Sequence, residues 1–133
     1  MITEDYVSFE IAKLLKEKGF NERLLTFYIT DEAKKEGYFQ LMAFTDDKID
    51  NSHSDYCYLA PTHQMAMKWL RKIHNIFIII EPHMYDYINE KNSSYVTSLW
   101  QGDNYYENIT SKDYPTYEDA CEATIKYCLE NLI

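Results

Sequence analysis

Hydrophobic positions along the chain change period several times, and each change marks an element. From Thr3 to Lys18 the apolar residues Val7, Ile11, Leu14 and Leu15 recur at helical spacing, which puts one stripe on a helix face. Glu4 and Asp5 stand at its start and Lys16 and Lys18 at its end, the sense a helix dipole favours. Gly19 then ends the helix as its C′ residue, with Phe20 folding back onto it. Leu24–Thr30 (LLTFYIT) and Tyr38–Phe44 (YFQLMAF) are rich in β-branched and aromatic residues, and the polar DEAKKEG lies between them. The pair predicts an antiparallel hairpin. Residues 45–55, TDDKIDNSHSD, are polar and aperiodic and predict a surface loop.

Pro61-Thr62 and Pro115-Thr116 each precede a helical pattern, with Ala66 and Ala120 at matching offsets. Threonine accepts from an early backbone N–H, and the proline before it holds the chain extended. Glu118 and Asp119 add negative charge at the second start, and Asp119 takes the capping-box position. The first cap predicts a helix over His63–His74 that buries Ala66, Trp69, Leu70 and Ile73. The second predicts a helix from Tyr117 to the end, with Cys121, Ile125, Cys128 and Leu132 as its stripe, widened by Ala120 and Leu129. Asn75–Glu81 is apolar on both faces and predicts a central strand ended by Pro82. Ser94–Gln101 alternates Tyr95, Thr97 and Leu99 against Val96, Ser98 and Trp100, a half-buried strand stopped by Gly102. The order is α-β-β-α-β-β-α: three helices on a mostly antiparallel four-stranded sheet, as one α+β domain over residues 1–133.

Composition agrees with a packed domain, at 46% hydrophobic and 26% charged over 133 residues. The net charge of -9 opposes direct nucleic-acid binding, which needs Lys and Arg against phosphate. It equally opposes anionic membrane surfaces. The N-terminus MITEDYV is acidic where a signal peptide is basic. The longest apolar run, Ile76–Ile80, is far short of the ~20 residues of a spanning helix. The expected location is therefore the cytoplasm. Three cysteines form no closed disulfide framework. Cys121 and Cys128 are seven apart in one helix, about 10 Å along its axis, too far for a disulfide.

The richest chemical vocabulary lies in NSHSDYCYLAPTH, residues 51–63, with His53, Asp55, Cys57 and His63. His53-x3-Cys57 could supply a zinc pair, with His63 or Asp55 as third ligand. No second close pair follows, and His63 falls at a helix start, so no metal or other cofactor is expected. Cys57 as a nucleophile would need a base or a helix N-terminus to activate it; YCYLA reads instead as a short extended apolar stretch that buries it. Glu81, His83 and Asp86 follow a strand end, where a carboxylate and an imidazole could do acid–base work. Their spacing matches no motif with a mechanism. No phosphate-binding glycine loop, G-x-S-x-G or H-E-x-x-H occurs, and no catalytic residue is assigned.

Thirteen tyrosines exceed what one small core hides, and tyrosine is enriched at interfaces. Tyr85, Tyr87, Tyr95, Trp100, Tyr105 and Tyr106 are the expected contact residues, with Asp103 and Asn104 beside Trp100 offering a sugar-stacking variant. Lys68, Arg71 and Lys72 make the His63–His74 helix a basic patch. From Asp103 to Ile133 there are seven acidic side chains and two lysines. Such complementary charge suits self-association into a homodimer.

Three stretches, YVSFEIAKLLKEKGF, APTHQMAMKWLRKIHNIFIIIEP and YEDACEATIKYCLENLI, together resemble a group of small uncharacterised proteins of gut Bacteroides-type bacteria, associated with prophage and mobile elements. The resemblance covers most of the chain outside residues 45–55 and 83–114. It rests on helix caps and core stripes and transfers no catalytic residue. It implies a phage- or mobile-element accessory protein. The expected function is non-enzymatic and works through a protein partner. The alternatives are an acidic inhibitor that mimics DNA against a nucleic-acid-binding enzyme, and a small enzyme using Glu81 and His83.

Overall fold

Ser8 starts the first helix, α1 (Phe9–Glu17), where its hydroxyl accepts the Ile11 N–H at 3.3 Å. The helix begins at Phe9 rather than Thr3 because the preceding backbone is used elsewhere. Val7 N–H donates to the Pro61 carbonyl, His63 N–H donates to that of Asp5, and Tyr6 bridges Thr62. The far end of α1 closes as expected. Gly19 takes φ 90°, its N–H reaches the Lys16 carbonyl, and Phe20 N–H reaches that of Leu15. This is the paired 6→1 and 5→2 bonding of a Schellman end, and it leaves Phe20 wholly buried.

This computed structural model describes residues 2–30, 39–43, 47–83, 94–107, 109–110 and 112–133. It divides into two compact units, residues 1–64 and 65–133. In the first unit, β1 (Thr26–Thr30), β2 (Phe39–Ala43) and β3 (Cys57–Leu59) form an antiparallel sheet in the order β2-β1-β3. The hairpin read from LLTFYIT and YFQLMAF is β1–β2. α1 packs against β3. There the Phe9 ring meets Tyr28 and Tyr58 edge-on, and the Tyr28 hydroxyl donates to the Val7 carbonyl at 2.7 Å. Asn51 ties the loop before β3 to the end of α1: its amide donates to the Phe20 carbonyl, and its side-chain oxygen accepts from Leu59 N–H.

The second unit holds most of α2 (His63–His74), then β4 (Ile76–His83), β5 (Ser94–Gln101), β6 (Asn104–Glu107) and α3 (Tyr117–Asn131). Its strands are antiparallel in the order β4-β5-β6. Only Asn75 separates α2 from β4, at φ 56°. Its carbonyl accepts the N–H of Gly102 at 3.1 Å. Gly102, at φ 58°, opens a two-residue turn with Asp103 between β5 and β6; positive φ at the first position alone is the type II′ pattern. Thr116 caps α3 as expected, accepting from Asp119 N–H at 3.0 Å. α3 packs on β4 and β5, burying Ala120, Cys121, Thr124, Ile125, Cys128 and Leu129. Burial pushes the Cys128 thiol up to about 12, which makes it an apolar packing residue at neutral pH.

The class is α+β, and among the described residues there are three helices and two three-stranded antiparallel sheets where the sequence predicts one sheet of four strands. The additional strands are β3 and β6, three and four residues long, too short to show an alternation of their own. β4 lies at a sheet edge among the described strands, not at the centre, and it continues through Pro82 to His83. An edge strand tolerates a residue without an N–H, because every other donor there faces away from its neighbour. Ile73 is 60% exposed in the last turn of α2, while Met67 is buried. No described helix is long and apolar enough to cross a membrane.

Candidate interaction face

Side chains alternate across the β4-β5-β6 sheet, so the register sorts them into two faces. One face carries Ile76, Thr97 and Leu99, all buried, together with Tyr95 and Tyr106. Tyr95 meets Tyr117 of α3 edge-on, so this is the face α3 covers. The other face carries Phe77, Ile79, Glu81 and His83 of β4, Ser94, Val96, Ser98 and Trp100 of β5, and Tyr105 and Glu107 of β6.

At one end of that open face, Phe77 pairs with Trp100 and Trp100 with Tyr105 across the three strands. They are 43%, 43% and 48% exposed. The Trp100 and Tyr105 ring centroids are 4.9 Å apart. Three large aromatics in register, each nearly half in water, form one continuous apolar row rather than scattered surface residues. Glu81 and Glu107 are exposed on the same face.

At the other end His83 pairs with Ser94. Tyr114 and Tyr95 exchange backbone hydrogen bonds at 2.8 and 2.9 Å, which sets Asp113 beside this pair. His83 Nδ1 lies 2.7 Å from Asp113 Oδ2, and the Ser94 hydroxyl donates to the same oxygen at 2.9 Å. The three residue types are those of a hydrolase triad, but the order differs. A triad places histidine between the serine and the carboxylate, whereas here the carboxylate stands between the other two and the serine proton points at it. The group is a clip across three chain segments.

Those two bonds, Ser94 first and His83 second, hold the Asp113 carboxyl below its ordinary 3.8. A carboxyl depressed on folding adds stability above its unfolded value, and that contribution is lost as pH falls through the native one. The window therefore lies in acid, below 3.8. In an NMR titration Asp113 is expected to protonate below the ordinary carboxylate value. Ser94→Ala should move its midpoint upward; a midpoint indifferent to Ser94 would remove the clip.

The other sequence-derived residues fall as follows. Lys68, Arg71 and Lys72 are exposed along one side of α2. Trp100 and Tyr105 lie on the open face, Tyr95 and Tyr106 on the covered one. Tyr85, Tyr87 and Asp86 lie outside the described residues. Cys57 and His63 are buried while His53 and Asp55 are exposed, and no group of three His, Cys, Asp or Glu among the described residues could hold a metal. Burial raises the Cys57 thiol, against smaller opposing effects of Lys16 and Ser54. Residues 51–63 instead supply carbonyls: those of Ser54 and Cys57 each accept from Lys16 Nζ at 2.8 Å. Phe77, Ser94, Glu107 and Asp113 were not anticipated as site residues. The Gly102-Asp103 dipeptide between WQ and NYYE was the available signal, since a two-residue glycine turn predicts a hairpin.

Compared with known proteins, the chain matches no family model, no curated protein and no solved structure.

Proposed function

We propose that this chain is a binding protein that works by holding a protein partner against the open face of β4-β5-β6, as a non-enzymatic accessory factor of a phage or mobile element. The observation that carries the reading is the Phe77–Trp100–Tyr105 row. Burying large aromatics is the strongest contribution a partner offers at an interface, and Trp and Tyr dominate binding hot spots. A chain with no partner gains nothing from keeping three such rings in register in water. The open Ser94–Asp113–His83 arrangement supports the same reading, because its bonding fixes the sheet end rather than activating the serine.

The test is capture from the source cells with tagged wild-type protein and with Phe77→Ala/Trp100→Ala/Tyr105→Ala, compared by quantitative mass spectrometry. A stoichiometric protein retained by wild type and lost by the folded triple variant is the expected result. Identical captures from both would sink the proposal. Lys68→Ala/Arg71→Ala/Lys72→Ala serves as the parallel control for the basic side of α2.

A further inference from the structure

We infer that the partner segment received by this face is arginine-rich. This rests on the binding reading above and adds the chemistry of what is bound. The described strands β4, β5 and β6 read IFIIIEPH, SYVTSLWQ and NYYE. They contain no lysine and no arginine. Their full charges are Glu81 and Glu107, both on the open face and both exposed, and Asp103 and Asp113 stand exposed at the turn and at the clip. The face is therefore aromatic at one end and negative beside it, with Glu107 next to Tyr105 on the same side of β6 and Glu81 farther along β4. A guanidinium satisfies both features at once, stacking on an indole or phenol ring while its N–H groups bond a carboxylate. An ammonium pairs with the carboxylates but stacks less well. An acidic or wholly apolar segment would leave Glu81 and Glu107 desolvated without partners. The net charge of -9 draws a cationic segment in from a distance and repels an acidic one.

Size decides what kind of segment. Three strands span two steps of about 4.8 Å, and eight residues run about 26 Å. Because β6 pairs along only four residues, the face is on the order of 190 Å² in plan, against about 800 Å² per partner in a standard interface. It fits one extended stretch or one helix, not a whole globular surface.

The full chain is titrated with fluorescein-labelled nona-arginine and nona-lysine peptides, read by anisotropy at physiological salt. Wild type is expected to bind nona-arginine several-fold more tightly than nona-lysine. Phe77→Ala/Trp100→Ala/Tyr105→Ala keeps the net charge and should weaken nona-arginine binding by about tenfold or more, if each exposed ring contributes a cation–π contact. Trp100→Ala alone, at a half-exposed site, gives the same direction should the triple variant fold poorly. Equal affinity for both peptides, or an undiminished affinity in the variants, would overturn the inference and leave only the long-range field. Light scattering across concentration supplies the remaining outcome. Dimerisation abolished both by the aromatic variant and by Lys68→Ala/Arg71→Ala/Lys72→Ala would give the face to α2 of a second copy, and the separate arginine-rich partner would be wrong. A captured partner lost with the aromatic row, without nona-arginine binding, would overturn this inference while leaving the binding reading standing.

Discussion

Phe20→Ala is expected to destabilise the first unit by about 3–5 kcal/mol, the range for truncating a buried phenylalanine. Phe20 is wholly buried, so its ring leaves a cavity that its surroundings refill only in part. Its backbone also joins two structures: its N–H closes α1 onto Leu15, and its carbonyl receives the Asn51 amide at 2.6 Å. Displacing it therefore loosens the helix end and the loop before β3 together. Trp69 and Trp100, the two tryptophans of the chain, both belong to the second unit. Amide exchange at Leu24 and Ile49, which bond each other at 2.8 Å, reads the first unit directly. Unchanged protection there would refute the expected cost.

Leu99→Ala should cost about 2–5 kcal/mol in the second unit. Its neighbour Trp100→Ala, although it removes more atoms, should stay within about 1 kcal/mol. The contrast follows from a single alternation. Leu99 faces α3 at 0% exposure, whereas Trp100 faces outward at 43%. Urea unfolding followed by tryptophan fluorescence, from Trp69 and Trp100 in Leu99→Ala and from Trp69 alone in Trp100→Ala, measures it. A Trp100→Ala cost equal to that of Leu99→Ala would mean the open face is covered, and would count against the binding proposal as well.

Elements whose boundaries are set by local chemistry were legible from sequence. Gly19 and Phe20 at the end of α1, Thr116 at the start of α3, and the β1–β2 hairpin all rest on caps, turns or propensities contained within a few residues. Elements set by distant partners were not. Residues 5–7 carry helical spacing but pair with Pro61 and His63, and tertiary bonding prevailed over periodicity. Ile76–Ile80 is apolar on both faces, which reads as a central strand. Among the described strands it is an edge strand whose Phe77 is left exposed, so apolar content alone did not distinguish a buried face from an exposed one. The site was half visible. Trp100 and Tyr105 came from aromatic content, but Phe77 required the register, and Asp113 required the Tyr95–Tyr114 bridge across nineteen positions.

Pro82 has a consequence for how the protein survives in concentrated solution. Ile76–Ile80 is five consecutive apolar residues without charge, the composition that recruits identical segments into cross-β stacks. It lies on an outer strand, where such recruitment begins. Glu81 and Pro82 follow it directly and act as gatekeepers, one repelling a like copy and the other withholding a backbone donor. The strand that leaves Phe77 exposed is thereby guarded against pairing with itself.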